Sequence, residues 1–261
     1  MKRDAGNLNE AAISHYREDG YCVIESVFDV NEVAAVNQEI SAIESRMIAA
    51  AATGVEYHLD GKRFVDVGVH TLQFELPPNE SRLRVLEPAH SLSPILLELI
   101  SDRRILDPIR QILNTNRVGL WTDKVNFKCP GGSGFGWHQD APYWMHAAEN
   151  LNCLPNVMIT LDDVTVDNGA FRVIRGSHLA GNRTSKDDGS QLQGFYTHPD
   201  EIDLSESVEF VVPAGTAIIF DPFLIHGSSA NVSSTPRRAM IATYQPADCL
   251  SLKAKTMINL C

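Results

Sequence analysis

Asn156-Val157-Met158-Ile159-Thr160-Leu161, followed by Ala170-Phe171-Arg172-Val173-Ile174, forms a pair of short apolar runs with a turn-rich Asp, Asn and Gly stretch between them. Runs of this length bounded by turn residues suit buried strands, since helices need a longer 3.6-residue period. The same pattern returns at 208–212, 216–220 and 238–244, and from Gly119 onward no helical pattern separates the strands. Closely spaced strands without crossover helices exclude a parallel Rossmann sheet and point to an antiparallel sandwich or jelly roll.

Working outward, the N-terminal half has helical spacing. Ala12, Ile13 and Tyr16 predict a helix over 9–18, stopped by Asp19-Gly20, and Tyr21-Cys22-Val23-Ile24 follows as a short strand. Val33, Val36, Ile40, Ile43 and Met47 mark a longer helix over 31–51, with Asp29 as its cap. Two further helical runs lie between Ser93 and Leu113, and Pro108 suits a first helical turn. Residues 181–206 are polar and rich in Asp, Ser and Gly, predicting a long surface loop that acts as a lid or is simply solvated. The expected organisation is mainly β: one domain over 1–261, with a mostly helical jacket over 1–118 and a jelly-roll core over 119–250.

The 261 residues carry 22 Lys and Arg against 33 Asp and Glu, a net charge of -11, which disfavours nucleic acid and anionic membranes as partners. The five cysteines are scattered, odd in number and without Cys-x-x-Cys, so neither a disulfide framework nor a zinc knuckle is indicated. With no apolar leader and no membrane-length apolar run, the cytoplasm is the expected compartment.

The chemistry centres on His138-Gln139-Asp140, flanked by Trp137 and Tyr143, and on a remote histidine in Asp221-Pro222-Phe223-Leu224-Ile225-His226-Gly227. Alternate residues on a strand share a face, so His138 and Asp140 would project together, and His226 would complete a three-point metal face. Two imidazoles and one carboxylate leave about three of six positions open, as in non-haem Fe(II) oxygenases. A His-x-Asp pair alone is common by chance. Its position after the glycine-rich Gly131-Gly132-Ser133-Gly134-Phe135-Gly136, with a second histidine on a strand-like segment, gives it weight. The same donors also suit a zinc-dependent hydrolase or a non-catalytic cupin-like binding module. No G-x-S-x-G, Walker loop or complete G-x-G-x-x-G is present. Phe135, Trp137, Tyr143 and Trp144 suit either a pocket for a partly apolar small molecule or ordinary core packing.

Trp137-His138-Gln139-Asp140-Ala141-Pro142-Tyr143-Trp144, Asp167-Asn168-Gly169-Ala170-Phe171-Arg172-Val173-Ile174-Arg175-Gly176-Ser177-His178, and His226-Gly227-Ser228 with Arg237 together resemble the phytanoyl-CoA dioxygenase family of Fe(II)- and 2-oxoglutarate-dependent oxygenases. Tyr16-Arg17-Glu18-Asp19-Gly20-Tyr21-Cys22-Val23-Ile24 extends the resemblance over nearly the whole chain. It implies a double-stranded β-helix (jelly roll, cupin-like) core with N-terminal and flanking helices. It also implies His138, Asp140 and His226 as iron ligands, and Arg237 as partner of the distal carboxylate of 2-oxoglutarate. A planar guanidinium suits that role because it holds a carboxylate through two parallel charge-assisted bonds. Arg238 has the opposite strand parity, although a bulge after Pro236 would exchange the two. Ser228 could add a hydroxyl. Lys128 is either a further contact to the co-substrate or substrate, or an exposed lysine. His178 is not an iron ligand in this family and is assigned a structural role, and His146 that of a packed residue. Phe171 stands where leucine is common and Arg175 where proline is common. Because Asp140 is a carboxylate rather than the small residue of related iron halogenases, the implied outcome is hydroxylation, desaturation or ring formation. O₂ and 2-oxoglutarate are consumed, succinate and CO₂ are released, and ascorbate serves as reductant in vitro. The primary substrate is expected to be a small molecule of unspecified identity.

Overall fold

The computed structural model describes residues 7–148, 150–185, 196–253 and 255–260. The chain runs through α1 (Glu10–Asp19), β1 (Tyr21–Ile24), α2 (Val30–Ala50), β2 (Val55–Leu59), β3 (Lys62–Val67), β4 (His70–Phe74), β5 (Leu83–Glu87), α3 (Pro94–Ser101) and α4 (Arg103–Leu113). It continues with β6 (Val118–Asn126), β7 (Phe135–His138), α5 (Ala141–Trp144), β8 (Asn156–Thr160), β9 (Phe171–Ile174), β10 (Ser207–Phe210), β11 (Ala217–Phe220), β12 (His226–Ser228) and β13 (Ala239–Pro246).

The strands form a nine-stranded sheet, β1-β11-β8-β13-β6-β5-β4-β3-β2, and a four-stranded sheet, β10-β9-β12-β7, with antiparallel pairing throughout. Alternation explains why the central strands are apolar at nearly every position. On β8, Val157 and Ile159 join the cluster under the helices, whereas Met158 joins the cluster between the sheets. On β13, Met240, Ala242 and Tyr244 face the helices, and Ala239 and Ile241 face the second sheet. Strands buried on both faces carry continuous apolar sequence, which is why 156–161, 216–220 and 238–244 stand out.

The helices follow their local signals. Asn9 accepts from the Ala12 backbone to start α1, and Gly20, at φ 87°, ends it in the left-handed region. Asp29 and Glu32 form a capping box at α2, whose Val33, Val36, Ile40, Ile43 and Met47 are buried.

Two expectations need correction. Residues 1–118 contain β2 to β5 as well as the helices, so the jacket is also four added strands of the larger sheet. Their sequences, such as Val55-Glu56-Tyr57-His58-Leu59, are largely polar because β2 is exposed or half-buried throughout. Pro108 lies inside α4, not in its first turn, because Asp102 caps the helix early by accepting from the Arg104 backbone. The loop expected over 181–206 falls partly, at 186–195, outside the described residues. Its flanks are tied down: Ser185 bridges to Thr197, and the Thr197 amide donates to the Trp137 carbonyl.

Candidate metal centre

Arg172 and Phe171 on β9 flank one side of β12, and β7 pairs on the other, so β12 brings His226 directly opposite His138. Ser228 lies opposite Phe135, with a register irregularity between the two pairs. β7 therefore spends an extra residue where β12 does not, and this bulge turns both Phe135 and His138 inward. Asp140 is two residues beyond the end of β7, not on it. Its backbone N–H donates to the Pro222 carbonyl at 3.0 Å, and it occupies the right-handed helical region ahead of α5. Same-face alternation along a strand is therefore not what unites the pair. The bend held by Pro222 swings the carboxylate back toward the imidazole.

One ligand atom from each of His138, Asp140 and His226 lies within 4.8 Å of the others. His138 Nε2 is 3.9 Å from Asp140 Oδ1, and His226 Nε2 is 3.8 Å from Asp140 Oδ2. The histidine ring centroids are 4.1 Å apart. His138 Nδ1 sits 2.7 Å from the Gly136 carbonyl and His226 Nδ1 2.9 Å from the Leu224 carbonyl, contacts that require Nδ1 to donate. That tautomer leaves both Nε2 lone pairs facing the carboxylate, as a metal requires. Burial, reinforced by the neighbouring His226, pushes His138 down to about 3, and burial also lowers His226, so both imidazoles are neutral. Burial opposes ionisation of Asp140, but the Lys124 ammonium, the two imidazoles and the Asn156 amide outweigh it, leaving the carboxyl below its ordinary value. Asn156 Nδ2 donates to Asp140 Oδ2 at 3.0 Å and is itself oriented by Thr243.

The triad opens on a narrow inner cavity of about 40 Å³, whose wall includes Asn126, Phe135, Ser228 and Arg237. Arg237 is 2% exposed. Among the described residues it has no ion pair, and its Nε has no hydrogen-bond partner. Burial lowers its pKa to about 10, so it remains a cation at neutral pH. An unpaired buried guanidinium is costly unless an anion meets it. Arg238 is committed elsewhere: its Nε and Nη2 donate to Asp162 at 2.9 and 2.7 Å. Both arginines lie just ahead of β13, so what separates them is their surroundings: Arg237 lines the inner cavity and Arg238 is held by Asp162.

Lys128 is absent from the cavity wall. It is 1% exposed, and its Nζ donates to Ser228 Oγ at 2.7 Å, to the Gly169 carbonyl at 3.3 Å and to the Ser229 carbonyl. Any influence on a ligand passes through Ser228. His178 lies at α1, with Nε2 3.1 Å from the Arg17 carbonyl, and His146 is exposed. Trp137 packs against Arg172 on the face away from the triad.

Beyond His138, Asp140 and Phe135 the inner cavity widens into an outer one of about 360 Å³, walled by strands β4 to β6 with Phe64, Tyr143, Trp144 and Tyr196. Arg84 supports its base. It pairs with Glu75 at 3.3 Å, donates to the Gly134 carbonyl at 2.7 Å, and lies 3.9 Å from the Phe135 ring centroid. Sequence reasoning missed Lys124, Asn126, Asn156 and the Glu75–Arg84 pair. A signal existed for the first two: Thr122, Lys124 and Asn126 put a polar residue at every second position of an otherwise buried strand. Asn156 carried none, because it looks like the polar edge of an apolar run.

The sequence profile of the Phytanoyl-CoA dioxygenase (PhyH) family matches residues 16–239. The chain is 28% identical over 242 residues to a probable alpha-ketoglutarate-dependent hypophosphite dioxygenase of Stutzerimonas stutzeri, covering 89% of this chain and 77% of that protein. It is 29% identical over 257 residues to the ectoine dioxygenase of Sphingopyxis alaskensis, covering 90% and 77%. The crystal structure of EctD from S. alaskensis with 2-oxoglutarate and 5-hydroxyectoine superposes with a TM-score of 0.71 at 22% identity, covering 98% of this chain and 83% of that one. That likeness establishes a shared fold.

Proposed function

The chain belongs to the phytanoyl-CoA dioxygenase family, and from that premise we propose that it is an Fe(II)- and 2-oxoglutarate-dependent oxygenase acting on a small molecule. The observation that carries this reading is the placement of Arg237, a buried cation with no ion pair among the described residues, in the same cavity as the His138–Asp140–His226 cluster. Neither metal-assisted hydrolysis nor metal binding by itself requires such a residue. A dicarboxylate co-substrate needs it.

The donor set fits iron: two neutral Nε2 atoms and an ionised carboxylate would hold the ion and leave positions open for co-substrate and oxygen. Bound iron would supply the oxidising chemistry, with 2-oxoglutarate leaving as succinate and CO₂. The protein's own work is positioning. Arg237 would grip the distal carboxylate, Ser228 would offer its hydroxyl, and Lys128 would hold Ser228 in place from behind. Asn156 keeps Asp140 turned toward the two imidazoles. Phe135, Phe171 and Phe220 line the inner cavity and limit water there. With the carboxylate present, the outcome is hydroxylation, with desaturation or ring formation as variants of the same hydrogen removal.

No helix among the described residues is long and apolar enough to cross a membrane. Cys22, Cys129 and Cys153 are free thiols, which supports action in the cytoplasm. The test is direct: purified protein with Fe(II), ascorbate and 2-oxoglutarate should release succinate in an O₂-dependent manner. Absence of succinate above a chelator-treated control would overturn the assignment.

A further inference from the structure

Resting on the oxygenase reading, we propose that the primary substrate is a small zwitterion, its carboxylate held by Lys124 and its ammonium-type cation by Glu87. Val85 pairs with Asn126 and Leu86 with Val125, where the β5–β6 ladder ends, and one further step of that register would set Glu87 opposite Lys124. Both side chains are half-buried and both line the outer cavity. Opposite charges facing each other across strands ordinarily pair. Among the described residues these two form no ion pair, with each other or with any other charge; Glu87 accepts only a long contact from Thr122 at 3.4 Å.

The remaining charges around the cavity are already engaged. Arg84 is held by Glu75 and the glycine loop, Lys62 donates to the Tyr196 hydroxyl at 2.9 Å, and Asp140 belongs to the metal triad. Besides Lys62, whose charge the Tyr196 hydroxyl does not neutralise, one cation and one anion, Lys124 and Glu87, face the same space of about 360 Å³, a volume suited to a molecule of amino-acid size and too small to enclose a coenzyme A ester. A simple anion would meet Glu87 and a simple cation would meet Lys124; only a ligand with both charges satisfies both. The orientation also follows. Lys124 lines the inner cavity as well as the outer, whereas Glu87 lines only the outer, so the carboxylate end sits nearer the triad. Phe64, Tyr143 and Trp144 add aromatic faces to the same cavity.

The test uses the enzyme loaded with Fe(II) and 2-oxoglutarate. Succinate release is measured with the protein amino acids and glycine betaine, and each stimulating compound is compared with its methyl ester and its decarboxylated amine. At least one zwitterion should raise release more than about tenfold over the substrate-free rate, with ester and amine giving less than a tenth of that gain. Glu87→Gln and Lys124→Met should each raise its KM more than about tenfold, with a much smaller change in kcat. In parallel, tryptophan fluorescence of the metal-free protein, reporting through Trp144, should show saturable binding of the zwitterion and not of the ester or amine. The proposal fails if no zwitterion stimulates release while the substrate-free background persists. It fails equally if ester, amine, phosphate or hypophosphite works as well. Loss of the substrate-free background itself would strike the oxygenase assignment instead, and the fluorescence titration would still decide the charge preference. Should either variant fail to fold, the wild-type ligand series gives the answer.

Discussion

Arg237 and Arg238 are chain neighbours just ahead of β13 whose side chains have opposite surroundings, Arg237 in the inner cavity and Arg238 on Asp162, and the contrast predicts opposite outcomes. Arg237→Leu should raise the 2-oxoglutarate concentration for half-maximal succinate release by at least about tenfold, since a charge-assisted bidentate contact is worth roughly 1.5–3 kcal/mol. The same change should leave the metal-free protein as stable as before or more so, because it removes an unpaired buried charge. Arg238→Ala should alter co-substrate demand less than about twofold and cost at most about 1 kcal/mol, the value of its partly exposed pair with Asp162. Wild-type co-substrate affinity in Arg237→Leu would refute its assigned role. For the triad, Fe(II) should raise the Tm of the wild type under anaerobic conditions, and Asp140→Ala should lose that rise. At this scale the candidate donors His138, Asp140 and His226, which the fold brings together, and Arg237 were nameable from motifs. The roles of Lys128 and Asn156 were not, because each depends on a partner distant in sequence, Ser228 in one case and Asp140 in the other.

Strands and turns set where these side chains aim. The turn before β9 brings Gly169, at φ 81°, so close to the end of β12 that an added Cβ would lie 2.4 Å from the Ser229 carbonyl and 2.9 Å from Lys128 Nζ. Gly169→Ala should therefore destabilise by about 2 kcal/mol or more, combining left-handed strain with a backbone clash. Urea unfolding would measure it, and a loss below about 0.5 kcal/mol would show that the turn can relax. Because Gly169 and Ser229 both hold Lys128 Nζ, the same variant should weaken 2-oxoglutarate binding. Elements buried on both faces, such as β8 and β11, were plain in sequence, as was α2 with its capping box. Strands β2 to β4 were not, since a face open to solvent or to the outer cavity replaces apolar residues with Glu, His, Lys, Arg and Gln and erases the buried-strand pattern.

Across the whole molecule, burying two neutral imidazoles makes the fold sensitive to acid. Below about pH 3, His138 is protonated in both the folded and unfolded chain; between that and its ordinary 6.5 only the unfolded chain takes the proton; above 6.5 neither does. The unfolded state thus binds more protons in that window, so stability of the metal-free protein should fall as pH drops from 6.5 toward 3. His226, also lowered by burial, acts in the same sense. Urea midpoints measured across this range should decline less steeply in a His138→Gln/His226→Gln double variant. Equal slopes would mean that the histidines titrate normally in the fold.

Sequence alone determined the antiparallel β core, the capped helices that cover it and the three candidate metal donors, because each is written in local periodicity, in cap residues or in a compact motif. Tertiary structure decided what those donors face. The bulge opposite His226, the bend that Pro222 imposes on Asp140, and the shared cavity of Glu87 and Lys124 all arise from pairings between distant segments. Such pairings are set by how the two sheets close on each other, and closure is a property of the packed whole that no single segment encodes.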